Sequence, residues 1–134
     1  MHTLRILFAL TALLLPVAPS HASEWPICRG GHRVTCIVDG DTFWLRGVKY
    51  RLSGIDTPEV FHPLCSTEEK LAARATVRLA QLMGEGEPAL RSFGRDPYDR
   101  ELVTVAIAGA DVGDRLVGEG LAQIWRHHKA DWCS

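Results

Sequence analysis

Strands grouped early in the chain, then a long amphipathic helix, two more strands and a second helix, predict an α+β fold. Five short strands around one helix suit a small Greek-key barrel of the OB type. The expected architecture is therefore a five-stranded OB-fold β-barrel with two to three helices. Size agrees, because 134 residues allow one domain and one core.

Residues 1–22 are expected to stand outside that domain. Arg5 is their only charge, an apolar run covers residues 6–15, and Ser20-His21-Ala22 is a small-residue ending. This is the pattern of a secretory signal peptide cleaved after Ala22. The apolar run is too short for a membrane span, which takes about 20 residues. The domain is then 23–134, exported to a periplasmic or secreted location and free of the membrane once the leader is removed.

Each element has a local reason. Residues 33–38 carry the β-branched Val34, Thr35, Ile37 and Val38 and read as a strand. Asp39-Gly40-Asp41 breaks it, and residues 42–45 resume it. Arg46-Gly47 turns the chain, and residues 48–55 return. On that return Val48, Tyr50 and Leu52 share one face, while Lys49, Arg51 and Ser53 take the other. Ser66 and Glu69 have capping-box spacing at the start of a helix over about 67–83. Leu71, Ala75, Leu79 and Leu82 form its apolar stripe, Lys70, Arg74 and Arg78 a solvated face, and Gly84 its stop. Strands are expected at 88–93 and 102–108, joined by a polar turn over 94–99. Asp111 is the N-cap candidate of a second helix over 111–119 that packs Val112, Leu116 and Val117 inward and ends at Gly120. The remainder, 121–134, reads as a tail.

The four cysteines, Cys28, Cys36, Cys65 and Cys133, all fall in the mature part. No C-x-x-C pair gives zinc spacing, so an exported chain with an even count implies two disulfides. Three connectivities are possible. Cys28–Cys36 with Cys65–Cys133 is preferred, since the first closes a short local loop and the second ties the tail to the middle. Net charge is −1 for the whole chain, and losing Arg5 leaves 14 basic against 16 acidic residues, or −2. That balance excludes a protein gripping long nucleic acid through many phosphates. Any nucleic-acid contact must be local.

The chemistry concentrates in Asp39-Gly40-Asp41-Thr42 and in Arg51 to Glu59. The hairpin between them returns both acid groups to one end. Carboxylates brought together repel and lose hydration unless a positive charge joins them. A divalent cation with oxygen ligands, flanked by an arginine, answers that requirement. Asp41 and Asp56 are the candidate carboxylate ligands, with the Thr57 carbonyl as a further oxygen. Asp39 is set behind them. An Asp-Gly-Asp turn alone would be only a turn, so the case rests on both segments together. Glu59 fits a general base, and Arg51 fits a bidentate phosphate clamp. Arg100 follows the Asp96-Pro97-Tyr98-Asp99 turn.

With Tyr98-Asp99-Arg100 added, these motifs resemble the staphylococcal nuclease (thermonuclease) family over about residues 34–122. His62-Pro63 and Gly120-Leu121-Ala122 are similar to it as well. The resemblance implies an OB-fold barrel that cleaves DNA and RNA with calcium. It implies Asp41, Asp56 and the Thr57 carbonyl as Ca2+ ligands, Glu59 as general base, and Arg51 and Arg100 as phosphate-binding arginines. The sequence departs from that family at Asp99, where glycine is usual, and in a tail without tyrosines that pack around a nucleotide. Asp99 is expected at positive φ, where Asp is tolerated, and its charge beside Arg100 is expected to compete for that arginine. Trp125 is a candidate for stacking on a base; packing on the barrel is its alternative. His127-His128 reads as a surface pair.

The expected function is a calcium-dependent nuclease hydrolysing phosphodiester bonds of DNA or RNA by metal-assisted water attack. The alternative is a catalytically weak OB-fold nucleic-acid-binding module, and a third is a disulfide-stapled structural domain. The only expected partner is a DNA or RNA substrate, and nothing in the pattern points to a large apolar interface, so a monomer is expected.

Overall fold

The structure, a computed structural model, describes residues 23–134, and the expected leader at 1–22 lies outside them. No helix among the described residues is long and apolar enough to cross a membrane.

The first half is a hairpin with a break on each side. β1 (Cys36–Ile37) pairs with β2 (Thr42–Leu45), which pairs in turn with β3 (Val48–Leu52), all antiparallel. The strand expected over 33–38 shrinks to two residues. Cys28–Cys36 closes a loop there, and the Val34 carbonyl instead accepts the Gly47 N–H at 2.9 Å. The Arg46-Gly47 turn is as expected, with φ of 51° and 82°. The return strand is also shorter than predicted. Gly54 takes φ 79°, and the chain restarts as β4 (Ile55–Asp56) in a different sheet.

α1 (Ser66–Gly84) begins one residue before its expected start. Its N-cap is Cys65, whose Sγ accepts the Glu68 N–H, so Ser66 and Glu69 do not form the predicted box. The apolar stripe is as read: Ala75, Leu79 and Leu82 are fully buried, joined by Ala72, Ala80 and Met83. Gly84 is required by a close approach rather than by left-handed backbone, since a Cβ there would collide with the Ser23 carbonyl.

β5 (Ala89–Arg95) and β6 (Glu101–Ile107) pair antiparallel, with a bulge between Ser92 and Arg95 around Gly94 at φ 99°. A turn at Ala108-Gly109 leads into β7 (Ala110–Asp111), and Asp111 caps α2 (Val112–Gly118) by accepting the Asp114 N–H at 2.9 Å. Gly120 ends the helix at φ 73°. The tail contains an unpredicted strand, β8 (Gln123–Ile124), which pairs with β4.

The main sheet runs β1-β2-β3-β6-β5, with β7 on β6 and β3 parallel to β6. The α+β class and two helices are as expected. The closed five-stranded barrel is not: among the described residues no pairing joins β5 back to β1, so the sheet stays open and counts six strands. Phe43, Leu52, Val103, Val105, Leu79 and Leu116 meet in one core between sheet and helices. Arg78 on the face read as solvated ties α1 to Glu119 beyond α2 at 2.8 Å. Both predicted disulfides are formed, Cys28–Cys36 and Cys65–Cys133. They fit a non-reducing, extracellular-type environment.

Candidate active site at the open end of the hairpin

The site lies where β2 begins and β3 ends. Thr42 is paired with Arg51 across the hairpin, which sets Asp41 beside the arginine. The Asp39-Gly40-Asp41 turn is pressed onto α1. A Cβ on Gly40 would sit 2.8 Å from the Ala75 Cβ and 3.1 Å from Thr57. Glycine is therefore needed here for space. Gly40→Ala is expected to cost about 1–3 kcal/mol by overpacking and to displace Asp41. A shift in the urea midpoint, with unchanged slope, measures it.

Arg51 turns to the opposite face from Tyr50, which stacks on Phe43 at 5.3 Å. Its guanidinium sits between two buried aspartates, with Nη1 3.1 Å from Asp41 Oδ2 and Nη2 3.8 Å from Asp56 Oδ1. Burial, then the charge of Asp39, pushes the Asp41 carboxyl up to about 7, against the opposing pull of Arg51. Asp39 behaves as a turn residue, accepting the Asp41 N–H at 3.1 Å. Thr57 is buried between Asp56 and Pro58.

Glu59 is half-exposed at the rim, and its backbone is held from below. Glu68, buried at 4% exposure, accepts the N–H of Glu59 at 3.1 Å and of Leu64 at 2.7 Å. Arg100 stands just before β6, the strand that pairs with β3. Asp96 accepts from Arg100 Nε at 2.7 Å and from the Tyr98 and Arg100 backbone N–H groups. Burial alone would raise the Asp96 carboxyl, but these hydrogen bonds outweigh it and hold it below the usual range. A depressed native pKa contributes stability above the unfolded value of about 3.9 and loses it as pH falls through the native value. The stability gap between the wild type and Asp96→Asn is therefore expected at neutral pH and should close below about pH 4; urea melts across pH test it.

Asp99 takes φ 60°, so the positive φ inferred for that position is observed. The expected competition for Arg100 is not. Asp99 pairs with Arg95 at 2.5 Å, because Asp96 already holds Arg100.

An open cavity of about 350 Å³ is lined by Asp41, Arg51, Thr57, Glu59 and Arg100, and also by Lys129. Five of the six sequence-predicted residues thus line one cavity, and Asp56 joins them through Arg51. A neighbouring cavity of about 530 Å³ contains Tyr98, Leu102 and Trp125. Two contributors were not read from sequence, Glu68 and Lys129. Lys129 forms an ion pair with Glu59, and the Ala130 N–H donates to Asp56 Oδ2 at 3.0 Å. His127 and His128 are exposed, as read.

Among the described residues no three carboxylate, imidazole or thiolate side chains converge as a metal cluster. The donor set nevertheless suits a hard cation: two buried carboxylates share a single guanidinium, and one of them is held away from its charged form.

A family model described as staphylococcal nuclease homologue matches residues 49–132. No curated protein matches the chain. The matched stretch contains Arg51, Asp56, Thr57, Glu59 and Arg100, and it begins after Asp41.

Proposed function

Because the chain belongs to the staphylococcal nuclease family, we propose that it is a calcium-dependent nuclease hydrolysing phosphodiester bonds of DNA or RNA. Membership supports a nuclease or nucleic-acid-binding role. The observation that carries hydrolysis is the shared cavity, open to solvent and lined by Asp41, Glu59, Arg51 and Arg100 together. A binding module that had lost turnover has no need of Glu59 beside Arg51 and Arg100.

In this reading Asp41, Asp56 and the Thr57 carbonyl hold the cation. Bound there, calcium supplies positive charge that polarises a phosphoryl oxygen. Glu59 takes a proton from the attacking water. Arg51 and Arg100 donate to the phosphoryl oxygens as charge grows on them. Asp96 and Glu68 hold Arg100 and the Glu59 backbone in register, so neither group must be reoriented during reaction. The neighbouring cavity would take the nucleoside, with Trp125 offering a face to the base. The mature domain, residues 23–134, acts after export as a monomer.

The test is incubation of the oxidised protein with plasmid and with single-stranded DNA, in calcium or in chelator. Nicking and shortening in calcium alone support the proposal. Oligonucleotide binding without cleavage in either condition would favour the binding module instead.

A further inference from the structure

The family match runs into the tail, to residue 132, and the structure brings that tail to the site. Its backbone is fixed at three points around the cavity. The Trp125 N–H donates to the Gly54 carbonyl at 2.9 Å, the Ala130 N–H donates to Asp56 Oδ2 at 3.0 Å, and Cys133 is bonded to Cys65 at the start of α1. Trp132 is buried between the last two of these, but its indole N–H finds no partner among the described residues. An unpaired buried donor offsets part of what its burial contributes. The covalent tie therefore matters to keeping the tail in place.

This docking sets Lys129 at the mouth of both cavities. Its backbone neighbour is anchored, while its side chain stays largely exposed and able to swing on a four-carbon stem. Without substrate the ammonium rests on Glu59. A phosphodiester chain entering between Arg51 and Arg100 brings one negative charge per residue to the same place, and a flexible ammonium is suited to meet it.

We infer that Lys129 is a third substrate-phosphate ligand, delivered by a tail that the Cys65–Cys133 disulfide holds against the site. The inference rests on the nucleic-acid reading above but not on turnover. Lys129 takes the phosphate next to the one clamped by the arginines, on the side of the Trp125 cavity. It leaves Glu59 as substrate arrives, so the ion pair guards the carboxylate only in the free protein.

The experiment uses the oxidised full chain and Lys129→Met, an exposed substitution that leaves the core untouched. Binding of a fluorescein-labelled single-stranded DNA is followed by anisotropy in chelator at several salt concentrations, and KM and kcat are measured in calcium. Lys129→Met is expected to weaken binding and raise KM about five- to tenfold, with kcat within about threefold. The slope of log affinity against log salt should fall by about 0.7, the share of one single-strand phosphate contact. Lys129→Arg should keep most of the affinity. Cys65→Ser/Cys133→Ser should weaken binding similarly in the wild type and add little in Lys129→Met. Unchanged affinity and slope in Lys129→Met would overturn the inference, as would a loss confined to kcat, which would leave Lys129 only a partner of Glu59. Lys129-dependent binding in a protein that never cleaves would sink the hydrolase reading and leave this one standing.

Discussion

Glu59→Gln is expected to lower kcat by about 10²–10⁴, the usual contribution of a positioned general base. The amide is the same size as the carboxyl and cannot take a proton from water. Its backbone stays where Glu68 holds it, so the change should be local. Substrate affinity should be unchanged or slightly tighter, because the substitution releases Lys129 from its ion pair. Single-turnover cleavage beside anisotropy in chelator separates the two effects. A glutamine variant cleaving within a few-fold of the wild type would mean that another group activates the water.

Arg51→Lys should be nearly as damaging, although it keeps the charge. One guanidinium meets Asp41 and Asp56 on two of its nitrogens at 3.1 and 3.8 Å. An ammonium is a point charge and cannot span both carboxylates and still offer a fork to phosphate. The expected loss is about 2.7–4 kcal/mol of barrier, or roughly 10²–10³ in kcat, by comparison with deletion of a single oxyanion donor. Arg51→Met goes further. Among the described residues, Arg51 is the cation that pairs with either aspartate. Its removal leaves two buried acids facing each other, and about 1–3 kcal/mol of stability should go with it. Millimolar calcium should recover part of that loss, since an ion bound only by the folded state stabilises it by mass action. Thermal melts with and without calcium read both effects.

Local pattern made much of the fold legible. The β2–β3 hairpin follows from Arg46-Gly47 between β-branched and aromatic residues, and α1 from its apolar spacing. Arg51 could be placed on the face opposite Tyr50 and Leu52 by period two alone, and there it meets Asp41 and Asp56. The Asp111 cap was visible because a cap is a contact between residues three apart. What failed depended on contacts distant in sequence. Residues 48–55 looked like one strand because nothing local shows that Gly54 turns the chain toward β8. The capping box at Ser66 was displaced because Cys65 is fixed by a partner 68 residues away. Glu68 read as one more acid in a first helical turn, and only the fold brings the Glu59 backbone over it. Lys129 lay in a stretch with no period at all. Its neighbour Ala130 meets Asp56 across 74 residues, a separation that no sequence spacing reports. Barrel closure was expected from strand count, but closure depends on the two edge strands meeting, and β1 is only two residues long.

Everything proposed for the chemistry requires Asp41 and Asp56 together to form a cation seat beside Glu59. Calorimetric titration of calcium into the wild type, Asp41→Asn and Asp56→Asn tests it without reference to turnover. The wild type should bind one ion, and each variant should lose at least tenfold in affinity. Equal calcium binding by all three proteins, or none by the wild type at millimolar calcium, would contradict it.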